Sequence, residues 1–144
     1  MASRRKGRII AFQALFSWEM NRIPLEEITF FPWLDPDERS ELDEATLGFA
    51  REIVAGTIKN IDAIDAAIRR QLQNWDIDRL GRVDLATLRL GIFSLAYQPD
   101  IPATVTIDEA VDIAKKFGGD DSYRFVNGVL DGYRKANFLG PVTP

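Results

Sequence analysis

The chain has no cysteine and no histidine among its 144 residues. Without cysteine there are no disulfides and no thiolate metal ligands, which fits a reducing compartment. Without histidine the commonest general base, the usual zinc ligand and every Ser–His or Cys–His nucleophile pair are gone. Any chemistry would have to rest on carboxylates, Lys, Tyr or Ser, so neither catalysis nor a cofactor is expected. No stretch approaches the ~20 apolar residues of a membrane span. The first residues place cations before apolar side chains, as a targeting signal does. However, Gln13 and Glu19 interrupt the apolar run and no small-residue cleavage pattern follows. Strand alternation, internal repeats and low-complexity tracts are absent too. These absences lead us to expect a cytoplasmic helical protein with no membrane contact.

Apolar residues make up 46% of the chain, enough for a packed core and too many for a disordered protein. The formal net charge is −4 and is unevenly spread. Arg4, Arg5, Lys6 and Arg8 contribute +4, so the remaining chain carries −8. An acidic body is ordinary for a soluble protein. The basic segment needs an explanation.

The periodicity predicts helix nearly everywhere. Ile9, Phe12, Phe16 and Met20 mark one face of a first helix. Pro24, Pro32 and Pro36 punctuate a loop-rich stretch with room for a short helix at Leu25–Phe31, and Asp35-Pro36 reads as a helix entry. From about Ser40 to Trp75 one long helix is expected, with Gly56 as a possible bend. Val83–Tyr97 is apolar nearly all round and belongs in the middle of a bundle. Thr106-Ile-Asp-Glu109 reads as a capping box, Gly118-Gly119 as a left-handed stop, and Asp120 or Asp121 as the cap of a last helix through about Arg134. The expected architecture is all-α, with six or seven helices in two packed subdomains. The first covers about residues 1–75 and the second about 76–137, with 138–144 as a loose tail.

Cations near a helix N-terminus oppose the macrodipole by ~0.3–1 kcal/mol each, and they repel one another. Folding alone would not choose Arg-Arg-Lys-x-Arg there. One reading is a frayed, solvated terminus. The other is phosphate binding, for which the guanidinium fork is suited. Four phosphate contacts on single-stranded RNA imply a log–log salt slope of roughly −3, which calls for a second contact surface. A candidate is KKFGGDDSYRFVNGVLDGYRK, where Lys115, Lys116, Phe117, Tyr123, Arg124 and Phe125 interleave around a helix start. Phe117 and Phe125 also suit a core, and Asp121 a plain cap. Elsewhere, Asp84, Thr87, Gly91 and Ser94 form a small polar stripe that can seat a partner or permit close helix packing. Phe30, Phe31, Trp33 and Leu34 suit burial between lobes or a contact between copies.

Five segments carry a resemblance: RRKGRIIAFQALFSW, FAREIVAGT, IKNIDAIDAAIRRQLQNWDIDRLGRVDLATLRLGIFSLAY, DIPATVTIDEAVDIAKKFG and DDSYRFVNGVLD. The sequence resembles the NusB family of transcription antitermination factors over nearly its whole length. The match weakens over Asn21–Leu42 and the tail. The resemblance implies two helical subdomains and binding to the boxA element of nascent RNA together with NusE, a small-subunit ribosomal protein. The resulting complex helps RNA polymerase read through terminators, notably in ribosomal RNA operons.

Carried over by residue, the family's arginine-rich start falls on Arg4, Arg5, Lys6 and Arg8. Its second RNA surface falls on Phe117, Asp121, Ser122, Arg124 and Phe125, the region that composition had already singled out. Contacts to NusE fall on Phe16, Asp78 and Asp84. Where many relatives have tyrosine this chain has Phe16, so a hydroxyl hydrogen bond is missing there. Some family members form homodimers that hide the RNA surface, which makes a homodimer a possible further partner.

Two other function classes are open to the sequence. One is a helical protein-interaction scaffold without specific RNA binding. The other is the accessory RNA-binding domain of an RNA-modifying system. Methyltransferases with such a front domain carry a nucleophilic cysteine, which is absent here.

Overall fold

A computed structural model describes residues 3–73 and 76–138. Within them lie eight α-helices: α1 (Arg4–Asn21), α2 (Leu25–Ile28), α3 (Pro36–Ser40), α4 (Glu44–Lys59), α5 (Ile61–Gln71), α6 (Arg82–Tyr97), α7 (Ala103–Phe117) and α8 (Ser122–Asn137). A single 3-10 turn covers Ile77–Arg79. No strand occurs among the described residues, in keeping with the expected all-α class.

α6 is the hub. Every side chain from Leu85 to Leu95 is buried, and the helix packs against α1, α4, α5, α7 and α8. A helix apolar on all sides can only sit inside other helices, as the sequence led us to expect. The exception inside that run is Arg89. Its guanidinium makes paired 2.9 Å hydrogen bonds to Asp65 of α5 and a 2.6 Å bond to Glu19 of α1. Burial disfavours the Arg89 charge, but the bonds to Asp65 and Glu19 outweigh it and raise its pKa above the ordinary arginine value.

The expected continuous helix from Ser40 to Trp75 is two helices, which is why the count reaches eight. α4 starts at Glu44, where the Asp43 carboxylate accepts the Thr46 N–H at 2.8 Å. Hydrogen bonds from the Thr46 hydroxyl and N–H hold the Asp43 carboxyl at about 2. The break falls at Asn60, whose side-chain amide donates to the Gly56 carbonyl at 2.8 Å. That side chain competes with the helix for the backbone acceptor. Gly56 is no bend. A Cβ there would lie 2.2 Å from the Phe93 ring, so the glycine lets α4 approach α6. Trp75, the expected end of the stripe, lies outside the described residues.

The buried face of α1 is also displaced from its expected position. Gly7, Arg8, Ala11, Phe12, Leu15 and Trp18 point inward, while Met20 is 46% exposed. α1 must serve both α4 and α6, and its small residues Gly7, Ala11 and Ala14 set the line of closest approach. α2 and α3 occupy the proline-punctuated stretch, and Asp35 caps α3 through a 2.8 Å bond from Glu38 N–H, with Pro36 in the first turn. Of the aromatic cluster there, Phe31 is fully buried, Trp33 donates to Gln13 at 3.2 Å, and Phe30 is 67% exposed.

Three positions of the polar stripe on α6, Thr87, Gly91 and Ser94, serve packing. Thr87 donates to its own helix at the Val83 carbonyl (2.7 Å), and Ser94 is buried against Gln98. A Cβ on Gly91 would sit 2.7 and 2.8 Å from the two methyls of Leu130, a fully buried residue of α8. Gly91→Ala should therefore destabilise the fold by about 1–3 kcal/mol through overpacking, outweighing its gain in helix propensity. Gly48, mid-helix in α4 with nothing near its missing Cβ, should respond oppositely: Gly48→Ala should stabilise by about 0.5–1 kcal/mol. Urea unfolding midpoints of the two variants check both signs.

Candidate nucleic-acid interface

The basic residues form the opening turns of α1. The Ser3 hydroxyl accepts the Lys6 N–H at 3.2 Å, and the Ser3 N–H donates to Thr46 Oγ1 at 2.8 Å, which ties the turn to α4. Helical geometry then sorts the four cations. Arg4, Arg5 and Lys6 are exposed, whereas Arg8 is 3% exposed. Arg4 and Arg8 lie over the Phe49 ring at 5.2 and 5.3 Å. Arg8 lies 3.7 Å from the Glu109 carboxylate of α7, and its Nε has no hydrogen-bond partner among the described residues. Burial pushes the Arg8 pKa down, and Glu109 opposes that shift.

Glu109 therefore has a different job from the one its spacing suggested. α7 begins at Ala103, after Pro102, and not at the expected Thr106 cap. Pro102 supplies an extended backbone and its carbonyl takes the Thr106 N–H at 3.2 Å, so Thr106 sits inside the helix with its hydroxyl buried and without a hydrogen-bond partner among the described residues. Glu109, one turn on, faces α1. It accepts from Arg5 Nε at 3.2 Å, and Arg5 also lies 3.7 Å from Asp112.

Above this contact opens a cavity of about 380 Å³ lined by Arg5, Arg8, Lys115, Lys116 and Phe117, with Glu109 and Asp112 on its wall. Phe117 is half-buried, its ring 5.0 Å from that of Phe12 and its outer side covered by the Lys116 ammonium at 5.4 Å. α7 then stops at Gly118. The backbone there is extended, with φ −96°, and not the expected left-handed stop. Gly118 is required for space: a Cβ would lie 2.6 Å from Ser122 and 2.7 Å from the Ala114 carbonyl.

The next turn carries the remaining candidates. Asp121 occupies the cap position of α8 without a side-chain hydrogen bond, so the expected carboxylate cap is not made. Ser122 Oγ accepts the Gly119 N–H at 3.0 Å instead. Tyr123 lies between two cations, with Lys115 5.2 Å from its ring centre and Arg124 donating to its hydroxyl at 2.9 Å. That bond raises the Arg124 pKa. Phe125 is half-buried and packs on the core. Of the nine candidates, Arg5, Arg8 and Phe117 share the cavity. Arg4 rests on Phe49, and Lys6 lines a neighbouring groove with Glu38 and Glu41. Asp121, Ser122, Arg124 and Phe125 follow on the α7–α8 turn. The arrangement offers exposed cations and π-faces along one edge, the chemistry for gripping phosphates and stacking bases.

Residues 5–135 match the model of the NusB family. The chain is 50% identical over 128 residues to the transcription antitermination protein NusB of Treponema denticola, covering 89% of this chain and 93% of that protein. It is 45% identical to the protein of the same name from Myxococcus xanthus, over 91% and 94% of the two chains. The fold superposes on T. maritima NusB with a TM-score of 0.85 at 40% identity, covering 94% and 93%. It also superposes, with a TM-score of 0.82 at 29% identity and coverage of 92% and 96%, on NusB in a crystal structure of antitermination factors NusB and NusE with double-stranded RNA.

The chain belongs to the NusB family.

The positions that the NusB resemblance assigns to a protein partner fall in two places. Phe16 is half-buried and lines an apolar cavity of about 260 Å³ with Phe12, Val83 and Phe117. Asp84 follows Val83 in the first turn of α6, and its Oδ1 is buried with no hydrogen-bond partner among the described residues. Asp78 is exposed on the 3-10 turn and opens onto a separate polar cleft beside Arg82 and Arg89. Phe117 lines both the cationic and the apolar cavity, so the two sets of positions adjoin at one side chain.

Sequence reading singled out Lys115 and Lys116 as part of a second contact surface but did not assign Glu109 or Asp112 to this site. A signal was present: Glu109, Asp112 and Lys116 recur at helical spacing on one face of α7. What the spacing lacked was the identity of the helix opposite. The burial of Arg8 predicts that the four cations separate by phenotype. Arg8→Ala should lower the unfolding free energy by about 1–3 kcal/mol through lost packing. Arg4→Ala and Lys6→Ala should stay within about 0.5 kcal/mol. Thermal unfolding of the three variants measures the split.

Proposed function

We propose that this protein is an antitermination factor that binds boxA-type single-stranded RNA together with the ribosomal protein NusE. It thereby supports processive transcription of ribosomal RNA operons as part of an RNA polymerase complex. The observation that carries this reading is the meeting of Arg5, Lys115, Lys116 and Phe117 around one cavity. Family membership supplies the class of RNA and the partner. The exposed cations Arg4, Arg5 and Lys6 neutralise phosphates, with Lys115, Lys116 and Arg124 extending the track. Phe117, Tyr123 and Phe125 offer ring faces to bases, beside Asp121 and Ser122 at the α8 start. NusE docks over Phe16, Asp78 and Asp84, where the two carboxylates suit a basic ribosomal protein. Holding two RNA-binding surfaces in one complex raises affinity through effective concentration.

In this reading the chain works in the cytoplasm by binding alone and carries no catalytic step. Its lack of His and Cys supports that. The division into a lobe of about residues 1–75 with the basic turn, and one of about 76–137 with the cation–aromatic edge, belongs to the same proposal.

The test is competition between boxA-like and scrambled RNA, with and without NusE. Preference for boxA that sharpens with NusE supports the reading, and equal binding of the two RNAs overturns it. The triple variant Arg4→Ala/Arg5→Ala/Lys6→Ala should flatten the log–log salt slope by about 2, at ~0.7 per phosphate contact on single strands. Titration at several salt concentrations reads that change, and an unaltered slope removes the turn from the mechanism.

A further inference from the structure

Two carboxylates line the wall of a cavity otherwise framed by four cations. Glu109 is held from two sides. Arg5 reaches it through Nε at 3.2 Å, with further approaches of 3.4 Å, and Arg8 lies 3.7 Å away. The two arginines differ in freedom. The Arg8 side chain is 4% exposed and fixed in the fold, whereas that of Arg5 is 67% exposed. Asp112, 54% exposed, adds a second carboxylate 3.7 Å from Arg5. With Arg8 anchored beneath it, the Glu109 carboxylate engages Nε and Nη2 of Arg5, the guanidinium edge that a phosphate would also use.

Resting on the reading of this face as an RNA site, we infer that Glu109, assisted by Asp112, is an internal competitor for RNA phosphate at Arg5. A guanidinium fork committed to a carboxylate cannot present the same N–H groups to a phosphate. RNA binding therefore exchanges one anion for another at Arg5, while Arg8 retains Glu109 in place. The exchange lowers the net gain from each encounter and sets a threshold against weakly held polyanions. Because the number of phosphates neutralised is unchanged, the device alters affinity without altering the salt slope. Asp112 and Glu109 thus determine selectivity without touching RNA.

The test uses the full chain and a boxA-like RNA, with and without NusE. Glu109→Gln should tighten RNA binding by about two- to fivefold, the range of an exposed ion pair, with an unchanged salt slope. Asp112→Asn, which releases only the outer contact and leaves Arg8 paired, should give a smaller gain and guards against a folding defect in the first variant. The deciding measurement is the cycle with Arg5→Ala. In that background the gain from Glu109→Gln should vanish. If it persists, the effect is general repulsion of RNA by an acid and the competitor role is wrong. Weaker binding by both Glu109→Gln and Asp112→Asn would mean that the carboxylates orient Arg5 for RNA, which also overturns the inference. Failure of the unmodified chain to prefer boxA-like RNA would instead remove the functional reading beneath it.

Discussion

Arg8 enters the protein interior about one turn after the chain first becomes helical. Its guanidinium lies over Phe49 of α4 and beside Glu109 of α7, with 3% of the residue exposed. A buried guanidinium cannot give up its charge, so it demands a carboxylate and a polarisable face, and the fold provides both. That demand draws the start of α1 to the middle of α7. Once they meet, Arg5 falls on the same carboxylate, and Lys115, Lys116 and Phe117 follow on the far end of α7. The cationic edge is a consequence of how one internal charge is satisfied.

A second internal charge organises the other end of α1. Arg89 of α6 binds Asp65 and Glu19 and joins three helices. The two arginines differ in a way that matters for function. Arg89 has well-made bonds to both acids and is closed off. Arg8 shares the Glu109 carboxylate with a solvent-facing neighbour, and its Nε has no hydrogen-bond partner among the described residues. The face proposed for RNA is thus built on the less completely satisfied of the two, where exchange of one anion for another disturbs least of the core.

Several elements were legible in the residues because their signal is local. The buried character of α6, the Asp35-Pro36 entry to α3 and the all-helical class follow from periodicity and capping chemistry within a few positions. The errors share one cause. Asn60 breaks a stripe of apolar residues that continues across it, and periodicity does not register the competing amide. Thr106–Glu109 has the spacing of a capping box, but Glu109 is drawn across to α1. Gly56 suggests a bend by residue type, yet α6 needs the room of its missing side chain.

The sequence by itself determined that the protein is helical, that it has no cysteine or histidine, and that cations gather at its start and around the α7–α8 turn of an acidic chain. These properties depend on residue type and on neighbours within a turn or two. Only the tertiary structure decided which of those cations are available. Arg4, Arg5, Lys6 and Arg8 are equivalent as a string, but a helix distributes them around 360° and packing against α4 and α7 buries one of them. Whether a charge faces solvent or a distant carboxylate is set by contacts more than a hundred positions apart, where local pattern carries no information.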